Sequence, residues 1–285
     1  MTDFELLRGY ALTGSQDDFA TLVGRYTNLV FSAALRHTSN PHDAEEISQA
    51  VFMLLSRKAA LLDKNTILAG WLLRATRLVA LNAPRKEPHR RRVENDATTE
   101  LLNETDSAWQ EIAPVLDEAL LCLADRDRDA VVLRFFEQKS FKEIARIIGA
   151  SDDNAQKRVA RALAKLRAVC VQRGVVATAT ILATAITTHS VGAAPAHLAG
   201  SITGAALSGT GAAGTASTLA DQTLVAIETG RVKTNFLKIA ALALILANVW
   251  LAMHIFWAAK SSAPSAGTSA PKAPIQTNSI PSHQP

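Results

Sequence analysis

Cysteine is nearly absent: Cys122 and Cys170 are the only two in 285 residues. They share no CxxC spacing and have no ligand cluster nearby, which excludes a disulfide scaffold and leaves two unpaired thiols of a reducing compartment. Aromatic residues make up only 5%. Strand-like alternation and hairpin dipeptides are missing from residues 1–170, so the front of the chain has no sheet signature. No Walker loop, HExxH or GxSxG is present, which removes the usual P-loop, metalloprotease and hydrolase readings. The seven histidines are scattered, and His37 and His42 are off the i, i+4 spacing of a helix-borne metal pair. No metal, cofactor or catalytic residue is expected. The N-terminus, MTDFELLRGYALTG, lacks the apolar run of a signal peptide.

Charge is also missing where it might first be sought. The chain carries a net +4, yet residues 1–170 hold 24 of the 30 Lys+Arg and 24 of the 26 Asp+Glu, so the front is neutral. The whole excess, 6 − 2, belongs to residues 171–285. From Gly174 to Gly230 there is no aromatic residue, only Asp221 and Glu228 are charged, and 38 of 57 residues are Ala, Thr, Gly or Ser. Such a stretch has little with which to build a core and reads as a linker. Within it Val175 to Ile186 is weakly apolar and reads as a small packing helix rather than a second membrane contact. As a coil of ~60 residues the linker would reach roughly 40–45 Å. After Ser261 five of the ten prolines fall in an extended tail.

Between linker and tail lies FLKIAALALILANVWLAMHIFWAA, with no Asp, Glu, Lys or Arg from Ile239 to Ala259 and only Asn248 and His254 as polar interruptions. About 20 residues cross the ~30 Å hydrocarbon layer as a helix. Trp250, Phe256 and Trp257 suit an interface, and Arg231, Lys233 and Lys238 before the span favour a cytoplasmic N-terminal side.

The front carries helical periodicity with start signals. Asn40-Pro41-His42-Asp43 is an N-cap, a first-turn proline and an acid at the positive helix end. Ala44, Ile47, Val51, Leu54 and Leu55 then form an apolar stripe, with Glu46, Gln49 and Met53 on another face. Trp71, Leu72, Ala75, Leu78 and Val79 mark a second buried face. From Arg74 to Arg92 seven basic residues oppose Glu87 alone, a patch suited to phosphates. Further on, Ser140 and Glu143 form a capping box; Phe141, Ile144, Ala145 and Ile148 share a face, Gly149 stops the helix and Ser151 restarts it. The next helix buries Ala155, Val159, Ala162, Leu163 and Leu166 and presents Asn154, Lys157, Arg158, Arg161 and Lys165. That is a helix-turn-helix with amide and basic groups for a major groove. The alternating Asp125-Arg126-Asp127-Arg128-Asp129 run reads as a solvated face.

These segments resemble the sigma-70 family, in particular its two-domain extracytoplasmic-function type. DAEEISQAVFMLLSRK (43–58), GWLLRATRLVALNAPRKEPHRRR (70–92) and LADRDRDAVVLRFFEQKSFKEIARIIGASDDNAQKRVARALAKLR (123–167) carry the resemblance, which covers roughly residues 1–170. The chain departs from the family pattern at Ala50, at Asn82-Ala83-Pro84-Arg85 and at Asn154-Ala155-Gln156. The resemblance implies an initiation factor, not an enzyme, whose partners are core RNA polymerase (β′ clamp helices and β flap) and promoter DNA. It places Asp43, Glu46, Gln49 and Phe52 on the polymerase. It places Trp71, Arg74, Arg77, Arg85, Lys86, Arg90, Arg91 and Arg92 on the −10 element, with a flipped base held near the loop 61–69. It places Asn154, Lys157, Arg158, Arg161 and Lys165 on the −35 element.

The expected architecture is all-α: a helical bundle over 1–93, a linker over 94–112, a helix-turn-helix domain over 113–172, an Ala/Thr/Gly-rich linker over 173–235, a transmembrane helix over 236–259 and a disordered tail over 260–285. The span would tether the factor to the bacterial inner membrane with residues 1–235 cytoplasmic, under control of an anti-sigma protein or a protease. A membrane-anchored helix-turn-helix regulator acting without polymerase, and a membrane adaptor that no longer binds DNA, fit the same segments.

Overall fold

The computed structural model describes residues 1–83, 104–207 and 216–224. Residues Met1–Glu228 form one compact unit. The expected membrane span 236–259, the tail 260–285 and the basic run Arg85, Lys86, Arg90, Arg91 and Arg92 lie outside the described residues. Among the described residues there is no strand, and no helix is long and apolar enough to cross a membrane.

Four helices build the N-terminal bundle: α1 (Asp3–Thr13), α2 (Gln16–Thr38), α3 (Pro41–Lys58) and α4 (Leu68–Asn82). Their starts follow local chemistry. The Thr2 hydroxyl and the Glu5 carboxylate cap each other's backbone at α1, which holds the Glu5 carboxyl below its ordinary pKa. Asn40 Oδ1 accepts from the His42 N–H at 3.0 Å to open α3 with Pro41 in its first turn, because the first N–H groups of a helix need outside acceptors. The buried hydroxyls of Thr27, Ser48 and Thr76 donate to the carbonyl four residues back, so they add no unsatisfied group to the core. Phe19, Leu22, Ile47, Phe52, Leu55 and Leu72 are wholly buried between these helices.

The second module contains α5 (Glu104–Cys122), α6 (Asp125–Val131), a π-helical turn Val132–Phe136, α7 (Phe141–Ile148) and α8 (Asp152–Gln172). The segment 94–112 is therefore not all linker. α5 begins ten residues before Pro114 and runs through it. A proline removes one helical hydrogen bond, but Ile112, Leu116, Ala119 and Leu120 keep one apolar stripe across it and are 0–2% exposed.

The largest departure from expectation is the segment read as the linker 173–235. It contains α9 (Ala179–His189) and α10 (Leu198–Leu207), followed by a short helix over 216–224. α9 packs on α5, α8 and the π-helical turn, whereas α10 packs on α2 and α3. Thr178 caps α9 through the Ile181 N–H. Leu182, Ala185 and Ile186 in α9, and Leu198 and Ile202 in α10, are almost fully buried. Small residues permit close backbone approach, so few large side chains suffice. Burying Leu198 and Ile202 contributes about 1.5–3 kcal/mol each.

The bundle and the second module meet at Arg36. Its Nε and Nη2 donate to Asp117 Oδ2 and Oδ1, both at 2.8 Å, and its Nη1 donates to the Ser190 carbonyl at 2.7 Å. The two side chains are 8% and 7% exposed. One guanidinium thus joins α2, α5 and the end of α9. Beside it His37 Nε2 lies 3.7 Å from Asp117, and burial lowers the His37 pKa below its ordinary value. A second meeting point joins α4 and α6. A Cβ built on Gly70 would meet Asp129 Oδ1 at 2.5 Å, so any larger residue there would push the Asp129 carboxylate aside. Burial pushes the Asp129 carboxyl up to about 6; Arg128 opposes the rise, Asp125 adds to it and Arg74 opposes it.

Removing one partner of a buried ion pair costs about 3–5 kcal/mol. Asp117→Ala should therefore lower the urea midpoint sharply, while the apolar double replacement Arg36→Met with Asp117→Leu should recover most of the loss; a mild Asp117→Ala effect would show the pair to be dispensable. Asp129 holds its proton more tightly folded than unfolded, so its contribution to stability is best at low pH and is lost as pH rises toward about 6. Asp129→Asn should melt higher than the parent at pH 7, and the difference should close near pH 4. A difference independent of pH would remove Asp129 as the cause.

Candidate nucleic-acid interface

The helix-turn-helix is assembled from short-range rules. At α7 the Ser140 hydroxyl accepts from the Glu143 N–H, and Glu143 Oε2 accepts from the Ser140 hydroxyl at 2.6 Å and from the Ser140 N–H at 2.8 Å; the hydroxyl first and the N–H second lower the Glu143 pKa. Gly149, at φ 66°, ends α7 with its N–H on the Ala145 carbonyl. That left-handed conformation suits glycine. Ser151 then caps α8 through the Asn154 N–H. Arg134 lies 4.7 Å over the Phe141 ring and its Nη1 donates to the Lys139 carbonyl, tying α7 to the turn before it.

α8 is two-faced as its period requires. Ala155, Val159, Ala162, Leu166 and Cys170 are buried, while Leu163 is only half-buried. Asn154, Lys157, Arg161 and Lys165 are exposed and Arg158 is half-buried, so the five side chains expected at the −35 element share one accessible face. Two of the cations have internal partners: Lys157 Nζ lies 2.7 Å from Asp153, and Lys165 Nζ 2.6 Å from Asp127 of α6.

The residues expected at the −10 element lie elsewhere. Trp71 is half-buried, Arg74 is exposed and Arg77 is half-buried on α4. The loop before them is ordered by Asp63, whose Oδ1 accepts from the Asn65 N–H and whose carbonyl accepts from the Thr66 N–H. Arg74 Nη1 is 3.7 Å from Asp125 of α6. Arg77 is near enough to α5 to lower the Glu118 pKa, a shift owed first to the hydrogen bond from Arg173.

On α3 the structure corrects one expectation. Phe52 is 0% exposed, so it packs in the core and offers no surface to a partner. At 100° per residue it falls at the edge of the stripe that includes Ala44, Ser48 and Leu55. Glu46 and Gln49 are half-buried, and Glu46 Oε1 is 3.7 Å from His42 Nε2. Asp43 is half-buried in the first turn.

The acidic run in α6 is the feature that sequence reasoning missed. It is solvated only in part, with Asp125 and Arg126 exposed. Arg128 is 6% exposed; Asp125 accepts from Arg128 at 2.5 Å and faces Arg74, Asp127 pairs with Lys165, and Asp129 lies against Gly70. Its two-residue alternation places acids on both sides of a two-turn helix, a signal that it serves more than one neighbour.

Two family models match in chain order: Sigma-70 region 2 over residues 22–91 and Sigma-70, region 4 over residues 115–166. The chain is 31% identical over 160 residues to the RNA polymerase sigma factor CarQ of Myxococcus xanthus, covering 54% of this chain and 90% of that protein. It is 30% identical over 160 residues to the RNA polymerase sigma-E factor of Streptomyces coelicolor, covering 55% and 88%. It is 27% identical over 167 residues to the ECF RNA polymerase sigma factor SigW of Bacillus subtilis, covering 54% and 89%. With α3 and α4 inside the first match and the α7–α8 helix-turn-helix inside the second, the chain belongs to the sigma-70 family of RNA polymerase sigma factors, of the extracytoplasmic-function type, and is a transcription initiation factor that binds core polymerase and promoter DNA.

Proposed function

We propose that the two modules divide initiation between them, with all bond-making left to the polymerase. The observation that carries this is the accessible row Asn154, Lys157, Arg158, Arg161 and Lys165 on a helix seated by the Ser140 and Ser151 caps. α8 enters the major groove of the −35 element, its cations on phosphates and Asn154 on base edges. The other module melts the −10 element. A base flipped from the stack gives up pairing and is read on its exposed edges, here beside the loop 61–69 and Trp71, with Arg74, Arg77, Arg85, Lys86, Arg90, Arg91 and Arg92 on the backbone. Asp43, Glu46 and Gln49 meet the β′ clamp helices, with Phe52 supporting them from the core. The second module also meets the β flap.

The segment 236–259 anchors the factor in the inner membrane, with residues 1–235 on the cytoplasmic side. Its support is the uncharged run from Ile239 to Ala259 and the cations before it. An anti-sigma protein or a protease controls access.

Run-off transcription with core polymerase, the full chain and genomic fragments should yield discrete starts. Lys157→Ala and Arg158→Ala should each weaken promoter binding and reduce the salt slope by about 1, while Asn154→Ala should relax one base preference by about 1–3 kcal/mol. DNA binding with no transcript would favour a regulator acting without polymerase. In membrane fractionation the full chain should resist high-salt extraction, and a chain ending at Glu228 should be soluble. Equal partition of the two would remove the anchor.

A further inference from the structure

The segment that follows α8 does not leave the molecule. It crosses from one module to the other and lies on α3. The chain of contacts is continuous. Arg167 Nε donates to the Ala177 carbonyl at 2.7 Å, and α9 then packs on α5. The Ser190 carbonyl takes Arg36, Ser32 Oγ accepts from the Gly192 N–H at 2.8 Å, and Asn28 Oδ1 accepts from the Ala194 N–H at 3.0 Å. His197 Nε2 is 3.4 Å from Glu45 Oε2. Leu198 and Ile202 are then buried where α10 meets α2 and α3. Past α10, Asp221 pairs with Arg57 at 2.5 Å and Thr223 with Asn82 at 3.3 Å. Glu45 and Arg57 lie near the two ends of α3, so the segment grips the helix at both.

What lies between those grips decides the matter. At 100° per residue Met53 stands opposite Ala44, on the side of α3 turned away from the bundle stripe, and Ala50 is 60° from Met53. An α3 free on that side would expose both. They are 6% and 0% exposed. Glu46 and Gln49 lie on this same side and are half-buried.

The same arrangement occupies the DNA-facing cations. Arg74 faces Asp125 and Lys165 is paired with Asp127. Size adds a constraint. Elements 25 base pairs apart are separated by about 85 Å of straight duplex at 3.4 Å per pair, whereas a compact unit of about 224 residues has a radius of gyration near ~17 Å. The two modules cannot read both elements while held together.

We propose that α9, α10 and the helix over 216–224 are a built-in inhibitor, a clasp that covers the outer side of α3 and fastens the two modules together, so that polymerase and promoter engage the chain only after it lets go. The covering of α3 inhibits on the reading that α3 docks on polymerase; the fastening of the modules inhibits independently of it.

A reversible lock tests this in the full chain, kept in mild detergent with Cys122→Ser to remove the exposed thiol. A Cβ on Gly192 would lie 3.9 Å from Ser32 Oγ, within disulfide reach, so Ser32→Cys with Gly192→Cys can close the clasp on oxidation. The reduced protein, which has lost the Ser32 hydroxyl contact to Gly192, should bind core polymerase and initiate at least as well as the parent. The oxidised protein should lose both, and reductant should restore them. Equal binding and initiation by the two forms would overturn the clasp. A second variant opens it: Leu198→Asp with Ile202→Asp should raise polymerase affinity by about tenfold or more if the open form is under a tenth of the population, and unchanged affinity would count against the proposal. The α3 reading is tested separately by Gln49→Ala with Glu46→Lys in the reduced lock background. Loss of polymerase binding supports it. Retained binding overturns the α3 assignment alone, while the redox comparison still decides the clasp.

Discussion

Arg36 is the constraint around which the described unit is arranged. A guanidinium cannot shed its proton, so once α2 carries it inside, it must be met by acceptors from whatever packs there. Asp117 meets it from α5 with a two-pronged bond, and the Ser190 carbonyl meets it from the end of α9. Each comes from a different part of the chain, and none of the three elements can move without leaving a charge or a carbonyl unpartnered. An interface held by such a pair is oriented strongly but has modest net stability, since desolvation offsets much of the attraction. That suits a contact that has to open. Apolar burial by α9 and α10 supplies the adhesion, and Arg36 sets the geometry.

The front of the chain is electrically neutral because 24 cations are matched by 24 acids, and some of them are paired with each other. A protein that presented every arginine and lysine of its DNA-binding faces would hold nonspecific DNA through counterion release. Here α6 offers carboxylates to both modules at once, to Arg74 on one side and Lys165 on the other. DNA phosphates must displace those carboxylates, and a promoter in a polymerase complex does so with many contacts at a time. Neutrality then acts as a threshold against weak encounters.

Much of the fold was legible in the sequence because the signals were local. Asn40-Pro41, the Ser140–Glu143 box and Gly149 all sit where the structure starts or stops a helix, and each works through atoms within four residues. The α8 face was legible for the same reason, its stripe being a matter of period. What escaped was long-range. Phe52 belongs to a stripe, but its position at the stripe's edge leaves its exposure to be settled by neighbours remote in sequence. α9 was foreshadowed by the weakly apolar stretch Val175 to Ile186, whereas α10 was hidden because its buried side is made of small and a few aliphatic residues, a composition equally common in linkers. Thr178 before Ile181 was the available cue. The role of Asp125, Asp127 and Asp129 could not be read at all without the partners, which come from α4 and α8.

The order of segments along the chain has a temporal meaning. Everything that α9, α10 and the helix over 216–224 lie upon is N-terminal to them, so the ribosome delivers the cover after the parts it covers. At about 5–20 residues per second the roughly 50 residues beyond α8 take some 3–10 s to appear. On the clasp proposal each new molecule therefore passes through a short youth in which the outer side of α3 is not yet covered, and the rate of synthesis, independent of any signal, sets how many such molecules a cell holds.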